Sequence, residues 1–246
     1  MKTRNFKRVL VWELPVRIFH WLNVLALFVL TVTGFLIADP PALLSNAEAT
    51  NLHTFGIVRS IHFISAYVFF FVMILRIYWA FVGNKFANWR AFWPFTKRHW
   101  TNLKHVLKVD IMLLNDEEEN IRNISIGHNT IATLSYIAMF FLALVMVFTG
   151  FGLYAGMSSW WLPRLFIWVP DMLGGDILTR QIHHISMWAF IFFAMVHVYL
   201  VFYHDWLEGR GEVSSMFGGY KFVCEDRMKK PEQVKNDKNK AAVPAD

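Results

Sequence analysis

Residues Ile182–Tyr203 read IHHISMWAFIFFAMVHVYLVFY, and this stretch decides the fold. It contains no Asp, Glu, Lys or Arg. Its length matches the about 20 apolar residues that a helix needs to cross the hydrocarbon core of a bilayer. The stretch therefore predicts a transmembrane helix that carries histidines inside the membrane.

Three further windows are as long and as apolar, at about residues 18–38, 61–82 and 130–155. Overall, 56% of the residues are hydrophobic and 17% are charged, against about 25% charged in soluble domains. The sequence predicts an all-α membrane protein, a bundle of four transmembrane helices. Residues 1–220 form this domain, and residues 221–246 are predicted to be a polar, disordered tail.

The distribution of positive charge predicts the orientation. Lys plus Arg number 5 in residues 1–17, 1 in 39–60, 7 in 83–129, 2 in 156–181 and 8 in 204–246. The positive-inside rule places both termini and the 83–129 loop in the cytoplasm. The net charge of +6 then comes from the cytoplasmic segments, whose Lys and Arg lie next to anionic lipid headgroups. No nucleic-acid partner is indicated.

Cys224 is the only cysteine. An iron–sulfur cluster takes four cysteines, and c-type haem attachment takes a Cys-x-x-Cys-His motif, so both cofactors are excluded. Any redox function must use another group.

Placing a histidine inside the membrane costs free energy, so each intramembrane histidine is a candidate functional residue. His20 begins the first span near the cytoplasmic face, and His62 begins the second span outside. His183 begins the fourth span, also outside, and His197 lies fourteen residues further in. An iron held by two histidines needs both at one depth, which gives the pairs His62 with His183 and His20 with His197.

The helical facing agrees with this pairing. Fourteen residues are close to four turns, so His183 and His197 share a face and lie about 21 Å apart along the axis. Two stacked b haems would fit that separation within one bundle. His184 is about 140° away from the face of His197, which favours His183 as the ligand of the doublet. A proton relay, or polar contacts between helices, remains the alternative role for these histidines.

Arginines accompany the histidines. His20, His62 and His183 each have an arginine three residues earlier, on the same helix face. These arginines are Arg17, Arg59 and Arg180, and a fourth, Arg76, lies in the inner third of the second span. They could pair with haem propionates, or they could be flanking arginines that snorkel to the headgroups.

One short internal echo is present. Thr33-Gly34-Phe35 in the first span repeats as Thr149-Gly150-Phe151 in the third, near the outer end of each helix. It is too short to establish a repeat.

Several motifs resemble the b-type cytochrome subunit of membrane-bound [NiFe] hydrogenases, over about Trp12 to Tyr220. They are VRIFHW (residues 16–21), RSIHF (59–63), RIYWAFVGN (76–84), IGHN (126–129) and HVY (197–199). The wider group includes cytochrome b subunits of some formate dehydrogenases.

The resemblance implies a function that spacing alone does not. Members of the family accept electrons from the hydrogenase small subunit. That subunit is bound, together with the large subunit, on the outer face of the bacterial cytoplasmic (inner) membrane. Members of the family then pass the electrons through two b haems to quinone. The family's haem-binding pattern falls on His20, His62, His183 and His197. The chain would be an electron-transfer subunit rather than an enzyme alone, with no catalytic residues of its own. A formate dehydrogenase-type donor, or a haem-free anchor or proton-relay protein, are the alternatives.

The resemblance also places a quinone site near the inner haem, where the third helix begins. His128 and Asn129 lie there, and they could donate a hydrogen bond and a proton to quinone. The other interpretation is a helix N-cap by Asn129, and both roles are compatible.

Overall fold

The computed structural model of the chain describes residues 6–40, 53–92, 130–208 and 211–224. Four long helices make up the bundle: α1 (Leu14–Ala38), α2 (Thr54–Val82), α3 (Thr130–Ala155) and α6 (Asp176–Glu208). The shorter elements are β1 (Phe6–Leu10), a 3-10 turn (Trp89–Phe92), α4 (Trp161–Arg164), α5 (Trp168–Met172), α7 (Glu212–Gly218) and β2 (Tyr220–Cys224).

The four long helices are those that the apolar windows predict, and each is long and apolar enough to cross a membrane. The bounds of α3 coincide with the predicted window, whereas α1, α2 and α6 begin earlier. Arginine is a good helix former, and proline suits the first helical turn. Helix α1 therefore starts before Arg17, with Pro15 in its first turn. As a result the candidate histidines lie within helices rather than at their ends.

Large apolar side chains cover the outside of the bundle. Phe28, Phe81 and Ile185 are 67%, 68% and 68% exposed. In water each Å² of such surface would cost about 25 cal/mol, whereas a hydrocarbon environment removes that cost. The prediction of a four-helix membrane protein is thereby confirmed.

The bundle is built from two helix pairs, because α1 packs most closely on α2 and α3 packs on α6. A buried core joins the two pairs. Its members come from three of the long helices and from α4: Ala26, Phe69, Met73, Ala143, Val147, Phe151 and Leu162.

One end of the bundle carries a small cap, made of β1, β2 and α7. Strands β1 and β2 are antiparallel, with Phe6 opposite Cys224 and Leu10 opposite Tyr220. Lys221 in β2 is buried and forms a salt bridge of 2.5 Å to Glu212 in α7. Residues 221–224 are therefore a strand and not the start of a disordered tail. Their aromatic and β-branched side chains favour extended structure, and the strand has a partner from the other end of the chain. Residues 225–246 lie outside the described residues.

Glu13, just before α1, joins the start of that helix to the end of α2. Its carboxylate accepts hydrogen bonds of 3.0 Å from the Trp79 indole and of 3.0 Å from the Asn84 backbone N–H. The Asn84 side-chain amide donates in turn to the Val11 carbonyl at 3.1 Å. The start of α1 and the end of α2 are thus held together by one acidic side chain.

The opposite end of the bundle carries α4 and α5, in the segment that the sequence marks as rich in tryptophan. Trp161 is 62% exposed, as expected of an aromatic side chain at a membrane interface. Leu162 and Val169 are buried and hold the two short helices against the bundle, where α3 contacts both.

Candidate haem sites

The four candidate ligands lie on three helices: His20 on α1, His62 on α2, and His183 and His197 on α6. We call His20 and His197 the cap-side pair, and His62 and His183 the distal pair. The chain crosses the bundle in alternating directions, so the members of each pair come to the same end.

The two rings of the cap-side pair lie next to each other, edge to face. Their centroids are 6.4 Å apart, with an angle of 64° between the ring planes. Imidazole nitrogen binds first-row metals at about 2.0–2.1 Å and the ring centre lies about 1.1 Å further, so two imidazoles on one metal have centres about 6.3 Å apart. The observed separation fits a bis-imidazole iron between His20 and His197. Aromatic neighbours pack on both rings: Phe193 stacks on His197 at 5.5 Å, and Trp21 meets His20 edge-on at 5.3 Å.

The rings of the distal pair are each held by a hydroxyl group. His62 Nδ1 lies 2.8 Å from Thr33 Oγ1, and His183 Nδ1 lies 2.8 Å from Thr149 Oγ1. With Nδ1 occupied in this way, the ring nitrogen left to bind iron is Nε2. The donor set of this site fits a b haem.

Glycines lie beside the same two rings. A methyl group built on Gly150 would come within 3.1 Å of His183 Cε1, and one on Gly34 within 3.7 Å of His62 Cε1. The first distance is tighter than ordinary van der Waals contact, so a side chain at position 150 would displace the ring.

The two histidines of the doublet have different surroundings. His183 bonds Thr149 on α3, whereas His184 meets Phe35 of α1 edge-on, at 6.2 Å between ring centroids. His184 also lines a shallow groove with Arg180. The hydrogen bond to Thr149 therefore supports His183 as the ligand.

The four arginines lie at the ends of the bundle where the sequence predicts them. Arg17 donates to the Phe217 carbonyl of α7, and Arg59 lies 2.6 Å from the Met157 sulfur. Arg76 donates to the Ala87 carbonyl at 3.3 Å and lies over the ring of Tyr136 at 5.2 Å.

Arg180 differs from the others because its side chain is exposed. The other three arginines, Arg17, Arg59 and Arg76, already contact protein groups. A haem propionate that paired with one of them would have to share or replace those contacts.

The predicted quinone residues His128 and Asn129 lie outside the described residues, as do His99 and His105. Thr33 and Thr149 are not among the site residues that the sequence predicts. Their signal was the Thr-Gly-Phe echo, which is too short to interpret without knowing that each threonine meets a histidine.

Comparison with known proteins identifies the family. The prokaryotic cytochrome b561 family matches residues 11–219. One curated relative is the "Probable Ni/Fe-hydrogenase B-type cytochrome subunit" of Cupriavidus necator, which is 36% identical over 223 residues, 89% of this chain and 88% of the relative. A protein of the same name in Rhodobacter capsulatus is 35% identical, over 92% of this chain and 86% of the relative.

A third relative, the "Probable Ni/Fe-hydrogenase 1 B-type cytochrome subunit" of Escherichia coli K12, is 33% identical over 89% of this chain and 93% of its own length. These relatives confirm the resemblance that the sequence motifs indicate. Since one family covers nearly the whole membrane domain, this chain belongs to the prokaryotic cytochrome b561 family, and it is a membrane-bound b-type cytochrome of electron transport.

Proposed function

We propose that the chain carries two b haems, one between His20 and His197 and the other between His62 and His183. The observation that carries this proposal is the presence of two histidine pairs at opposite ends of one bundle, of which the cap-side pair has the spacing of a bis-imidazole iron. When bound, each haem iron takes up and gives up one electron at a time.

The residues of the chain provide the ligands and a dry environment for this transfer. His183 and His197 share a face of α6, and at 1.5 Å rise per residue they lie about 21 Å apart along the helix. Around them the bundle presents apolar and aromatic side chains such as Phe193 and Met187. Low polarity, axial ligand identity and hydrogen bonds to the ligands are the means by which a protein sets haem potentials.

We infer that the electron donor is the small subunit of a [NiFe] hydrogenase, bound with its large subunit at the distal end. The names of the curated relatives support this donor. The exposed tryptophans of α4 and α5 offer apolar surface at that end. The acceptor is a quinone at the cap side, where His128 and Asn129 would supply a hydrogen bond and a proton.

The distribution of Lys and Arg supports the orientation. Both termini and the 83–129 loop carry most of the positive charge, which places the cap in the cytoplasm and the distal end outside the bacterial inner membrane. Electrons would then cross from the outer face to the inner face.

The test is haem stoichiometry together with co-purification. The purified chain should contain two b haems per polypeptide by the pyridine haemochrome method. A tagged chain should retain a [NiFe] small subunit in mild detergent, and hydrogen should reduce its haems. One haem per chain would overturn the dihaem assignment. Retention of a different dehydrogenase, with no reduction by hydrogen, would overturn the donor.

A further inference from the structure

Two hydrogen bonds of the same kind occur in the two helix pairs. On α1, Thr33 Oγ1 lies 2.8 Å from Nδ1 of His62 on α2. On α3, Thr149 Oγ1 lies 2.8 Å from Nδ1 of His183 on α6. Each threonine is buried, with 6% and 2% of its surface exposed. Water is therefore a poor competitor for either bond.

The direction of the proton in these bonds follows from the backbone. A threonine hydroxyl has one proton to donate. Thr33 Oγ1 lies 2.7 Å from the Val29 carbonyl, and Thr149 Oγ1 lies 2.6 Å from the Val145 carbonyl. A carbonyl only accepts, so each hydroxyl proton is committed to the preceding turn of its own helix. The imidazole must therefore donate Nδ1–H to the hydroxyl oxygen.

We propose that Thr33 and Thr149 are the positioning residues of the distal haem site, each accepting the Nδ1 proton of one axial histidine. This bond selects the tautomer whose lone pair is on Nε2, the nitrogen directed away from the threonine. It also fixes the rotation of the ring and increases the basicity of the imidazole as a ligand. The inference deepens the proposed function, because it rests on His62 and His183 as ligands.

The neighbouring glycines give the proposal a second support. In both helices the residue after the threonine is a glycine whose Cα faces Cε1 of the same ring. Both pairs therefore place a hydrogen-bond acceptor and a glycine beside the ring, and at Gly150 the glycine leaves space that a methyl group would take from His183. The Thr-Gly-Phe echo is therefore a repeated ligand cradle, used once in each helix pair.

The cap-side pair is arranged differently. Among the described residues, His20 and His197 have aromatic neighbours and no hydrogen bond to a ring nitrogen. The threonine contact is thus a property of one site, and its removal should alter one haem only.

The experiment replaces the hydroxyl without changing the shape of the side chain. Thr33→Val and Thr149→Val remove the acceptor, and Thr33→Ser and Thr149→Ser retain it. Thr179→Val is the matched control: Thr179 is also buried on α6 and also bonds its own helix, through the Gly175 carbonyl at 2.9 Å, but has no histidine partner among the described residues. Haem content, redox titration and low-spin electron paramagnetic resonance are measured on each purified chain.

We expect both valine variants to keep the cap-side haem unchanged and to alter the distal one. A weaker imidazole donor stabilises ferric iron less, so the midpoint potential of the distal haem should shift upward and its resonance g-values should change. The serine variants should resemble the unmodified protein, and so should Thr179→Val. Loss of the distal haem in a valine variant but not in its serine counterpart would support the same role.

Two results would overturn the inference. The first is a distal potential and g-values in both valine variants equal to those of the unmodified protein. The second is equal haem loss in the valine and serine variants, which would mean that threonine serves packing alone. Failure of the proposed function looks different: His62→Ala would then retain both haems.

Discussion

His62 and His183 make the most direct test at the scale of single residues. We expect His62→Ala or His183→Ala to remove the distal haem, because an iron held by two imidazoles loses one of its axial bonds. The cap-side haem should remain, since His20 and His197 lie at the other end of the bundle. Haem counting on each variant is the measurement.

The control for this prediction is His184→Ala, which should keep both haems because His184 contacts Phe35 rather than Thr149. If His184→Ala lost a haem while His183→Ala kept two, the choice within the doublet would be wrong. If His62→Ala lost both haems in a folded protein, the two sites would not be independent.

Gly150 and Gly34 give a second prediction at this scale. A methyl group at position 150 would lie 3.1 Å from His183 Cε1, whereas at position 34 its nearest neighbours are at 3.5 and 3.7 Å. We expect Gly150→Ala to lower distal haem occupancy or to change the distal spectrum, because the ring must move. Gly34→Ala should be tolerated. Equal effects of the two substitutions on haem content and spectrum would contradict this account.

At the scale of elements, Glu13 shows how the end of one helix is joined to the start of another. Its carboxylate accepts from the Trp79 indole and from the Asn84 N–H. Glu13→Ala leaves both donors without this acceptor, and each such loss costs about 1–3 kcal/mol when buried. We expect a lower thermal midpoint of unfolding in detergent for Glu13→Ala.

Glu13→Gln keeps one carbonyl acceptor and should lose less stability than Glu13→Ala. A midpoint unchanged in both variants would show that the junction of α1 and α2 does not depend on this side chain. Haem content before heating serves as the control for correct assembly.

The sequence predicts the long helices well and the small elements poorly. Apolar runs specify the end of α3 at Ala155 to the residue. The same apolar runs predict starts for α1, α2 and α6 that are too late, because each run ends at an arginine although the helix continues through it. Strand β2 has no local signal strong enough to separate it from a polar tail. Its structure depends on β1, far away in sequence.

The candidate site divides in the same way. Periodicity on one helix predicts that His183 and His197 share a face, because both belong to a single rigid element. The partners Thr33 and Thr149 come from other helices, and no periodicity within one helix shows which residue of a neighbour faces a ring. Only the packing of α1 on α2 and of α3 on α6 places each hydroxyl 2.8 Å from its imidazole.

At the scale of the whole molecule, the direction of electron flow makes a prediction for the cap side. If His128 and Asn129 help to bind quinone, His128→Ala and Asn129→Ala should leave haem content and hydrogen-driven haem reduction normal. Quinone-dependent oxidation of the reduced haems should fall, because the acceptor loses a hydrogen bond or a proton source. A helix-cap role predicts a stability loss of about 0.5–2 kcal/mol for Asn129→Ala with unchanged oxidation.

The cap also constrains how the protein is made. Strand β1 leaves the ribosome first, and its partner β2 is synthesised only after all four membrane helices; the Arg17 contact alone spans 200 residues of chain. Contacts of such long range form late and slowly. During synthesis the edge of β1 is therefore unpaired until residues Tyr220–Cys224 have been made. A protein truncated before Tyr220 would leave β1 without its partner strand and Trp12 without the Lys221 side chain that lies over its ring.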